Sequence, residues 1–286
     1  MPELPEVETV RRGIEPIMTG SEITEVKQFR ADLRWPLPLN MPKRLIGAKV
    51  TAVGRRSKYI LIHLNIEETL IIHLGMTGRI LISELPSNKN RVFPNTNDIF
   101  GPHDHVIIEF NHKTRVIYND VRRFGAMDLI KKSLLYEHPW LAKLGPEPLS
   151  NDFSTRGLKD QLDRKKTSIK SVLMNQSVVA GLGNIYVSEV LWYSGISPII
   201  TASDLKFERI EGLKNSITSV LLDAIDKGGS SLKDYRKASG ELGYFQNYFK
   251  TYNREGLECL SDECSGRIKK IIQSGRSSYY CPFCQT

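Results

Sequence analysis

The chain of 286 residues is 40% hydrophobic and 25% charged, a composition that indicates a globular protein with room for two domains. It contains no apolar run approaching the ~20 residues of a membrane span, and no charged-then-apolar leader opens it, so we expect a cytoplasmic protein without a membrane partner. A formal net charge of +8 favours a polyanionic partner, although a merely basic globular protein is the alternative.

The opening residues, Met1–Val7, combine a proline with two carboxylates. If Met1 is removed, the α-amine of Pro2 becomes a free secondary amine, and α-amines have a pKa of about 7.7–8.0 against about 10.4 for lysine. Such an amine can attack a sugar carbon and form an iminium ion, which acts as an electron sink. The alternative is an ordinary amphipathic helix with Glu3 and Glu6 near its N-terminus. The apolar face of that helix is predicted at Val7, Val10 and Ile14.

Residues 22–130 are predicted to be mainly β-strands, because apolar, β-branched runs alternate with turn residues. The predicted strands are Ile23–Phe29, Ala48–Val53, Tyr59–Leu64, Leu70–Leu74, Ile80–Ser83, Val106–Phe110, Arg115–Tyr118 and Ala126–Ile130. This spacing indicates a sandwich or a barrel. The polar stretch Leu85–Pro102, rich in Asn and Pro, predicts a long mobile loop.

The second half of the chain has a helical pattern. Leu144–Pro148 cannot continue a helix, so a domain boundary is expected near Lys131–Asn151. Residues 152–228 carry apolar residues at helical spacing, and Gly228 and Gly229 are expected to end the last helix. The polar and aromatic stretch Lys233–Arg254 predicts a flexible loop.

The four cysteines lie in the last 28 residues, with the spacing Cys259-x4-Cys264-x16-Cys281-x2-Cys284. Two close pairs about twenty residues apart suit one structural Zn²⁺ in a tetrahedral thiolate site better than disulfides. Basic residues between the pairs predict a β-hairpin with a basic face, and Arg276 at its tip is a candidate phosphate ligand. A purely structural zinc ribbon is the alternative.

Two turns carry further candidate residues. Gly181, Gly183 and Asn184 lie between two helical patterns, where backbone N–H groups at a helix N-terminus could cradle a phosphate; a helix–turn–helix without a ligand is the alternative. Gly54–Tyr59 places Lys58 at a strand start, where it could contact a phosphate or transfer a proton, unless the turn is merely a solvated basic one.

Two more turns contain Met76 and the run Arg122-Arg123-Phe124-Gly125. An exposed Met, Phe and Arg could wedge into a base stack and fill the space left by an extruded base. The alternative is that Met76 and Phe124 are core residues, as such side chains usually are. The histidines have no zinc-ligand spacing and are interpreted mostly as packing or hydrogen-bonding residues.

These segments together resemble the formamidopyrimidine-DNA glycosylase family. The segments that carry the resemblance follow the family's order along the chain: Pro2–Glu6, Gly54–Tyr59, His73–Gly78, Arg122–Gly125, Leu144–Leu149, Gly181–Tyr186 and the four cysteines. The related endonuclease VIII group opens with a glycine where this chain has Leu4, which favours oxidised purines over oxidised pyrimidines as the damaged bases.

The resemblance implies an α+β fold with five segments. An N-terminal β-sandwich with an N-terminal helix covers residues 1–131, and a linker covers 132–150. A helix-two-turns-helix DNA-binding domain covers 151–232, a lesion-capping loop region 233–254, and a zinc-finger β-hairpin 255–286. DNA is expected to bind in the cleft between the lobes.

The implied activity is that of a bifunctional glycosylase and abasic-site lyase of base-excision repair. It would excise 8-oxoguanine and formamidopyrimidines through a Schiff base at Pro2 and cleave the strand by β,δ-elimination. Glu3 would be the acid/base, Glu6 would support the site and Lys58 would be the catalytic lysine. The implied DNA-binding residues are His73, Met76, His105, Arg122, Arg123, Phe124, Lys170, Asn184, Tyr244 and Arg276. The partner would be damaged double-stranded DNA, and the protein a nucleoid-associated monomer.

Two departures from the family pattern and two rival functions remain. Four residues separate Cys259 from Cys264, where two is the commoner family spacing, and Val121 stands where a proline after the aspartate is more usual.

The rival functions are those of a non-catalytic zinc-containing DNA-binding protein and of a family glycosylase that prefers oxidised pyrimidines.

Overall fold

The computed structural model describes residues 1–84, 101–230 and 243–286. Most of the predicted loop Leu85–Pro102, and residues 231–242 of the predicted capping loop, lie outside the described residues. Two compact units are present: Met1–Pro2 and Glu6–His138 belong to the first, while Glu3–Pro5, Pro139–Ser230 and Tyr244–Thr286 belong to the second. Among the described helices, none is long and apolar enough to cross a membrane.

The first unit is built on two four-stranded antiparallel sheets. Their strands are β1 (Ile23–Gln28), β2 (Val50–Arg56), β3 (Tyr59–Leu64), β4 (Glu68–His73), β5 (Gly78–Glu84), β6 (Asp104–Phe110), β7 (Thr114–Asp120) and β8 (Ala126–Lys131). One sheet has the order β1-β6-β7-β5 and the other β2-β3-β4-β8. Each of the eight predicted strands is therefore present. Because the order of neither sheet includes a strand of the other, the described part of this unit is a sandwich and not a barrel.

The core of the first unit lies between these sheets and two helices, α1 (Leu4–Met18) and α2 (Met41–Leu45). The predicted apolar face of α1 is confirmed, since Val7, Val10 and Ile14 are each at most 1% exposed. They pack with alternate apolar residues of both sheets in one cluster. Burying a side chain of this size stabilises a fold by roughly 1.5–3 kcal/mol, which explains why helix and sheets pack together.

The second unit contains four helices and a C-terminal hairpin. The helices are α3 (Thr155–Leu162), α4 (Ile169–Leu173), α5 (Asn184–Tyr193) and α6 (Phe207–Asp226). The predicted helical pattern is thus confirmed, and α6 ends where Gly228 and Gly229 adopt positive φ angles of 73° and 75°. Apolar residues of all four helices form one buried cluster, in which Leu4 is fully buried.

The hairpin consists of β9 (Lys269–Gln273) and β10 (Arg276–Tyr280), which pair antiparallel. Its turn places Ser274 and Gly275 at positive φ, which a glycine adopts without strain. A small apolar cluster, including Ile268 and Tyr279, packs against the hairpin. So small a core needs an additional constraint, and the four cysteines lie in this segment.

The structure differs from the predicted flexible loop at the end of Lys233–Arg254. Residues Phe245–Tyr248 form a 3-10 helix, and the side chains of Phe245 and Phe249 are buried in the helical core. The carboxylate of Glu189 on α5 accepts hydrogen bonds from the backbone N–H groups of residues 250, 251 and 252. This part of the segment is ordered because aromatic burial and a buried carboxylate hold it. The limits of the five predicted domain segments remain predictions.

Candidate functional site

The carboxylate of Glu3 lies at the N-terminus of α5. Its Oε1 accepts the backbone N–H of Ile185 at 2.9 Å, and its Oε2 accepts that of Tyr186 at 3.3 Å. The side chain is almost completely buried. A helix N-terminus presents unpaired N–H groups and a positive dipole end, so this position favours the ionised carboxylate.

The two glycines of the α4–α5 connection make this approach possible. A Cβ on Gly183 would overlap the Glu3 carboxyl group, and one on Gly181, whose φ is +90°, would overlap Leu4. The N–H of Leu4 also donates to the carbonyl of Gly181 at 3.1 Å. The N–H groups of Ile185 and Tyr186 are therefore occupied by Glu3 and are not available to a phosphate. A phosphate contact of the glycine turn itself remains a prediction.

A second cluster joins α4, α5 and the hairpin. The ammonium of Lys170, 2% exposed, donates to the carbonyl of Ser277 at 2.8 Å and to Oγ of Ser278 at 2.6 Å. The amide of Asn184 donates to the same Ser277 carbonyl at 3.0 Å. Lys170 and Arg276 line a cavity of about 180 Å³ together with residues 171, 174, 273 and 274. The structure therefore brings together the three residues that were predicted to bind phosphate in this unit.

The charge of Lys170 is sensitive to its surroundings. Burial and the nearby positive charge of Arg276 lower the pKa of Lys170 to about 8, while the negative charge of Glu3 acts in the opposite direction. At pH 7 the amine is mostly protonated. A phosphate entering the cavity would meet the positive charges of Lys170 and Arg276. Two of the three N–H donors of the Lys170 ammonium are already used in hydrogen bonds within the protein.

In the first unit, Lys58 lies in the two-residue turn between β2 and β3. It is 5% exposed, and Ser57 before it is buried with a positive φ of 55°. The interpretation as a solvated basic turn is therefore wrong. Burial, then the charges of Lys58 and Arg34, lower the pKa of His73 to about 4, so His73 is neutral at pH 7. Its Nδ1 accepts the N–H of Gly75 at 3.1 Å, which leaves the proton on Nε2 available for donation.

The predicted wedge residues are exposed rather than in the core. Met76 is 40% exposed and Phe124 43% exposed, and the guanidinium of Arg122 lies 4.6 Å from the centre of the Phe124 ring. The two turns are in close contact, because a Cβ on Gly75 would overlap the backbone of Phe124 and Gly125. Met76, Arg122 and Phe124 thus lie exposed on two turns that touch, and together they are called the edge.

Asp120 holds this edge in place, a role that was not among the predicted site residues. Its buried carboxylate accepts hydrogen bonds from Oγ1 of Thr77 at 2.5 Å and from the N–H groups of Arg122 and Gly125 at 3.3 and 2.8 Å. The ring of His105, also buried, contacts the Asp120 carbonyl at 2.8 Å. His105 thus supports the turn, and its contact with DNA remains a prediction. Arg123 is exposed with a φ of 58°.

The remaining predicted residues have varied positions. Met1 is 49% exposed, whereas Pro2 and Glu6 are buried. Tyr244 is exposed, and its backbone N–H donates to the carbonyl of Lys227 at 3.1 Å. Residues 231–242, which include the first part of the predicted capping loop, lie outside the described residues.

The four cysteines form one cluster. All four sulfur atoms lie within 4.8 Å of one another; Sγ of Cys259 is 3.7 Å from that of Cys284, and Sγ of Cys264 is 3.6 Å from that of Cys281. A tetrahedron with metal–sulfur bonds of about 2.3 Å has sulfur–sulfur distances of about 3.8 Å. The cluster could therefore hold a metal ion. The indole N–H of Trp192 points to Sγ of Cys259 at 3.3 Å, as a donor to a thiolate would.

A basic hairpin, an exposed apolar edge flanked by arginines and a thiolate cluster are together features of proteins that handle nucleic acids. Residues 1–127 match the formamidopyrimidine-DNA glycosylase N-terminal domain, and residues 144–236 match the formamidopyrimidine-DNA glycosylase H2TH domain. The chain belongs to the formamidopyrimidine-DNA glycosylase family.

Relatives named formamidopyrimidine-DNA glycosylase align over the whole chain. One from Dinoroseobacter shibae is 53% identical and one from Cereibacter sphaeroides is 52% identical, and each alignment covers 100% of both chains. Among solved structures, the Lactococcus lactis Fpg protein in complex with Fapy-dG-containing DNA matches with a TM-score of 0.87 and 34% identity over 100% of both chains. A complex of the same protein with abasic-site DNA matches with a TM-score of 0.86 over 99% of both chains.

Proposed function

We propose that this protein is a DNA glycosylase of base-excision repair that also cleaves the strand at the resulting abasic site. Full-length likeness to relatives named formamidopyrimidine-DNA glycosylase supports the reaction class. The observation that carries the mechanism is the anchored carboxylate of Glu3, directly after Pro2. A fixed acid/base next to an N-terminal amine is what covalent catalysis by that amine requires.

The proposed reaction begins when the nitrogen of Pro2, freed by removal of Met1, attacks C1′ of the damaged nucleotide. The glycosidic bond breaks and its electron pair leaves with the base. Glu3 accepts the proton of the Pro2 amine and passes it to O4′ as the C1′–O4′ bond breaks, which leaves an iminium between the Pro2 nitrogen and C1′. The resulting iminium acidifies the C2′ proton, so β-elimination breaks the 3′ C–O bond. δ-Elimination then removes the sugar at its 5′ side, which leaves phosphates at both ends of a gap.

Two features of the described residues support binding of damaged duplex DNA. Lys170 and Arg276 line a cavity that suits a phosphate, and Asn184 donates to the same Ser277 carbonyl as Lys170. The edge of Met76, Arg122 and Phe124 is exposed, as an element inserted between bases must be. We propose that this edge fills the space of the extruded nucleotide, since extrusion costs a few kcal/mol that such contacts offset.

The metal and the cellular context are further parts of the proposal. Four thiolates at tetrahedral spacing favour Zn²⁺, which would brace the hairpin that carries Arg276 and take no part in the chemistry. We predict that the protein is a monomer in the cytoplasm, close to the nucleoid, because its proposed substrate is DNA. A purine preference rests on Leu4 and is likewise a prediction.

An excision assay tests the proposed function. The protein should nick duplexes containing 8-oxoguanine or a formamidopyrimidine and leave phosphates at both ends of the gap, while nicking oxidised-pyrimidine duplexes more slowly. A reversed order would favour the rival glycosylase. Tight binding to abasic-site DNA without cleavage of any damaged duplex would favour the non-catalytic binding protein.

Replacing Arg276 by alanine should weaken binding to all duplex sequences, because Arg276 is proposed to contact a phosphate and no base. The plot of log affinity against log salt should become shallower by about one unit, the contribution of one phosphate contact. Arg267→Ala is the matched control, since Arg267 is exposed in the same segment and already pairs with Glu258 at 3.3 Å. An unchanged slope in Arg276→Ala would refute the phosphate role.

Binding to abasic-site DNA should weaken as the pH rises through about 8. The pKa of Lys170 in the free protein is about 8, and a bound phosphate would raise it, so binding takes up a proton above that pH. Affinity should then fall by roughly five- to tenfold between pH 7.5 and 9. Lys170→Met should bind more weakly at pH 7.5 and lose this pH dependence. An identical pH dependence in wild type and Lys170→Met would show that another group is responsible.

A further inference from the structure

One carboxylate of α1, that of Glu8, accepts hydrogen bonds from three guanidinium groups. Oε1 of Glu8 accepts Nε of Arg12 at 2.8 Å and Nη2 of Arg11 at 3.1 Å, and Oε2 of Glu8 accepts Nε of Arg55 at 3.0 Å. Burial alone would raise the pKa of Glu8, but the hydrogen bonds and charges of the three arginines hold it below its ordinary value. Glu8 is therefore a buried anion at neutral pH, and its role is assigned by none of the residue patterns above.

Arg55 connects this anion to the turn that carries Lys58. While its Nε contacts Glu8, its Nη1 donates to the backbone carbonyl of Ser57 at 2.9 Å. Its side chain is only 10% exposed. Ser57 has a positive φ of 55°, which a serine adopts rarely, so the hydrogen bond to its carbonyl holds an uncommon backbone conformation. The next residue along the chain is Lys58.

The geometry needs the planar fork of an arginine. One edge of the guanidinium, at Nε, faces the carboxylate, and a different nitrogen, Nη1, faces the carbonyl. A lysine has a single ammonium on a flexible stem and cannot hold two acceptors in the same fixed directions. Arg11 and Arg12 also contact Glu8, but Arg11 directs its other terminal nitrogen to the backbone carbonyl of Val53 at 3.1 Å.

We infer that Arg55, held by Glu8, is a positioning residue that fixes the Ser57 backbone and through it the location of the Lys58 amine relative to α1. The inference rests on the proposed function together with the role of catalytic lysine that the family resemblance implies for Lys58. Arg55 touches neither substrate nor the reacting atoms. A displacement of about 1 Å at a reacting group can cost about a hundredfold in rate, so a small shift of this turn would be measurable.

The first test is Arg55→Lys, which keeps the positive charge and most of the side-chain bulk. The single-turnover rate of 8-oxoguanine excision should fall about ten- to a hundredfold, while affinity for abasic-site DNA changes less than threefold. Arg44→Lys is the matched control, because Arg44 in the same unit also contacts one carboxylate, that of Glu68, and one backbone carbonyl, that of Leu129. Its excision rate should stay within twofold of wild type.

A double-mutant cycle separates positioning from a general structural role. If Arg55 acts through Lys58, the double variant Arg55→Lys/Lys58→Met should be no more than about twofold slower than Lys58→Met alone, since the group to be positioned is absent. If the excision rate of the double variant falls by the product of the two single-variant losses, the inference is overturned. A normal excision rate in Lys58→Met or in Arg55→Lys would also overturn it.

These experiments distinguish failure of the inference from failure of the proposed function. If the wild-type protein cleaves no damaged duplex, both the function and the inference are overturned. If the wild type is active and the two losses multiply, only the inference is overturned. Thermal unfolding of each variant accompanies the kinetics, and Glu8→Gln should reproduce the Arg55→Lys defect in direction because it removes the charge that holds the guanidinium.

Discussion

Replacing Pro2 by glycine should reduce excision of 8-oxoguanine by at least about a thousandfold, the order of loss expected when a nucleophile is removed. Glycine at this position has a primary amine and lacks the ring, so the fixed geometry of the attacking nitrogen is lost. The measurement is the single-turnover cleavage rate of a labelled duplex at saturating protein. Binding to abasic-site DNA should remain within a few-fold of wild type, because Pro2 is not proposed to hold phosphates.

A matched variant and a contradicting result make this test specific. Thr9→Ala changes a side chain of the same helix that has no proposed catalytic role, and it should retain excision within a few-fold of wild type. Excision by Pro2→Gly at a near wild-type rate would contradict the assignment of the Pro2 nitrogen as nucleophile.

Replacing Cys281 by serine should remove the bound metal and weaken DNA binding by at least about a hundredfold. Cys281 is fully buried in the cluster, and structural zinc sites of this type contribute roughly 10–16 kcal/mol to folding of their segment. Loss of the metal would release the hairpin, which supplies Arg276 and the carbonyl of Ser277 that Lys170 and Asn184 contact. Zinc content is measured by elemental analysis and affinity by titration with abasic-site DNA.

The control for this variant is Ser265→Ala, an exposed position between the cysteines that leaves four thiolates intact. It should keep one zinc per chain and near wild-type affinity. A Cys281→Ser protein that binds DNA normally without metal would show that the cluster does not brace the interface.

The sandwich could be predicted from the sequence because the residue pattern that indicates each strand lies within one short segment. In strands such as Tyr59–Leu64, apolar and β-branched residues recur between turn signals, and the burial of alternate or consecutive positions follows from the pleat. The same holds for the face of α1 and for the cysteine spacing, where the chemistry of one metal restricts the arrangement. The exposure of Met76 and Phe124 was predicted less directly, from their glycine-flanked turns.

The contacts that define the site join residues far apart in the chain. Glu3 meets Ile185 across 182 positions, and Arg55 meets Glu8 across 47. A pattern within one segment carries no information about such pairs. The glycines at 181 and 183 were therefore interpreted as a phosphate cradle, although their absent side chains make room for Leu4 and Glu3. Likewise, the polar stretch before Arg254 looked irregular because the buried carboxylate of Glu189 that orders it lies on a distant helix.

Borohydride trapping followed by mass spectrometry tests the central claim most directly. Wild-type protein is mixed with a duplex containing 8-oxoguanine, the intermediate is reduced, and the cross-linked peptide is sequenced. The account predicts that the deoxyribose remnant is attached to the nitrogen of Pro2 in a peptide that lacks Met1. Attachment to Lys58 or another lysine, or retention of Met1 in protein that excises the base at full rate, would contradict it.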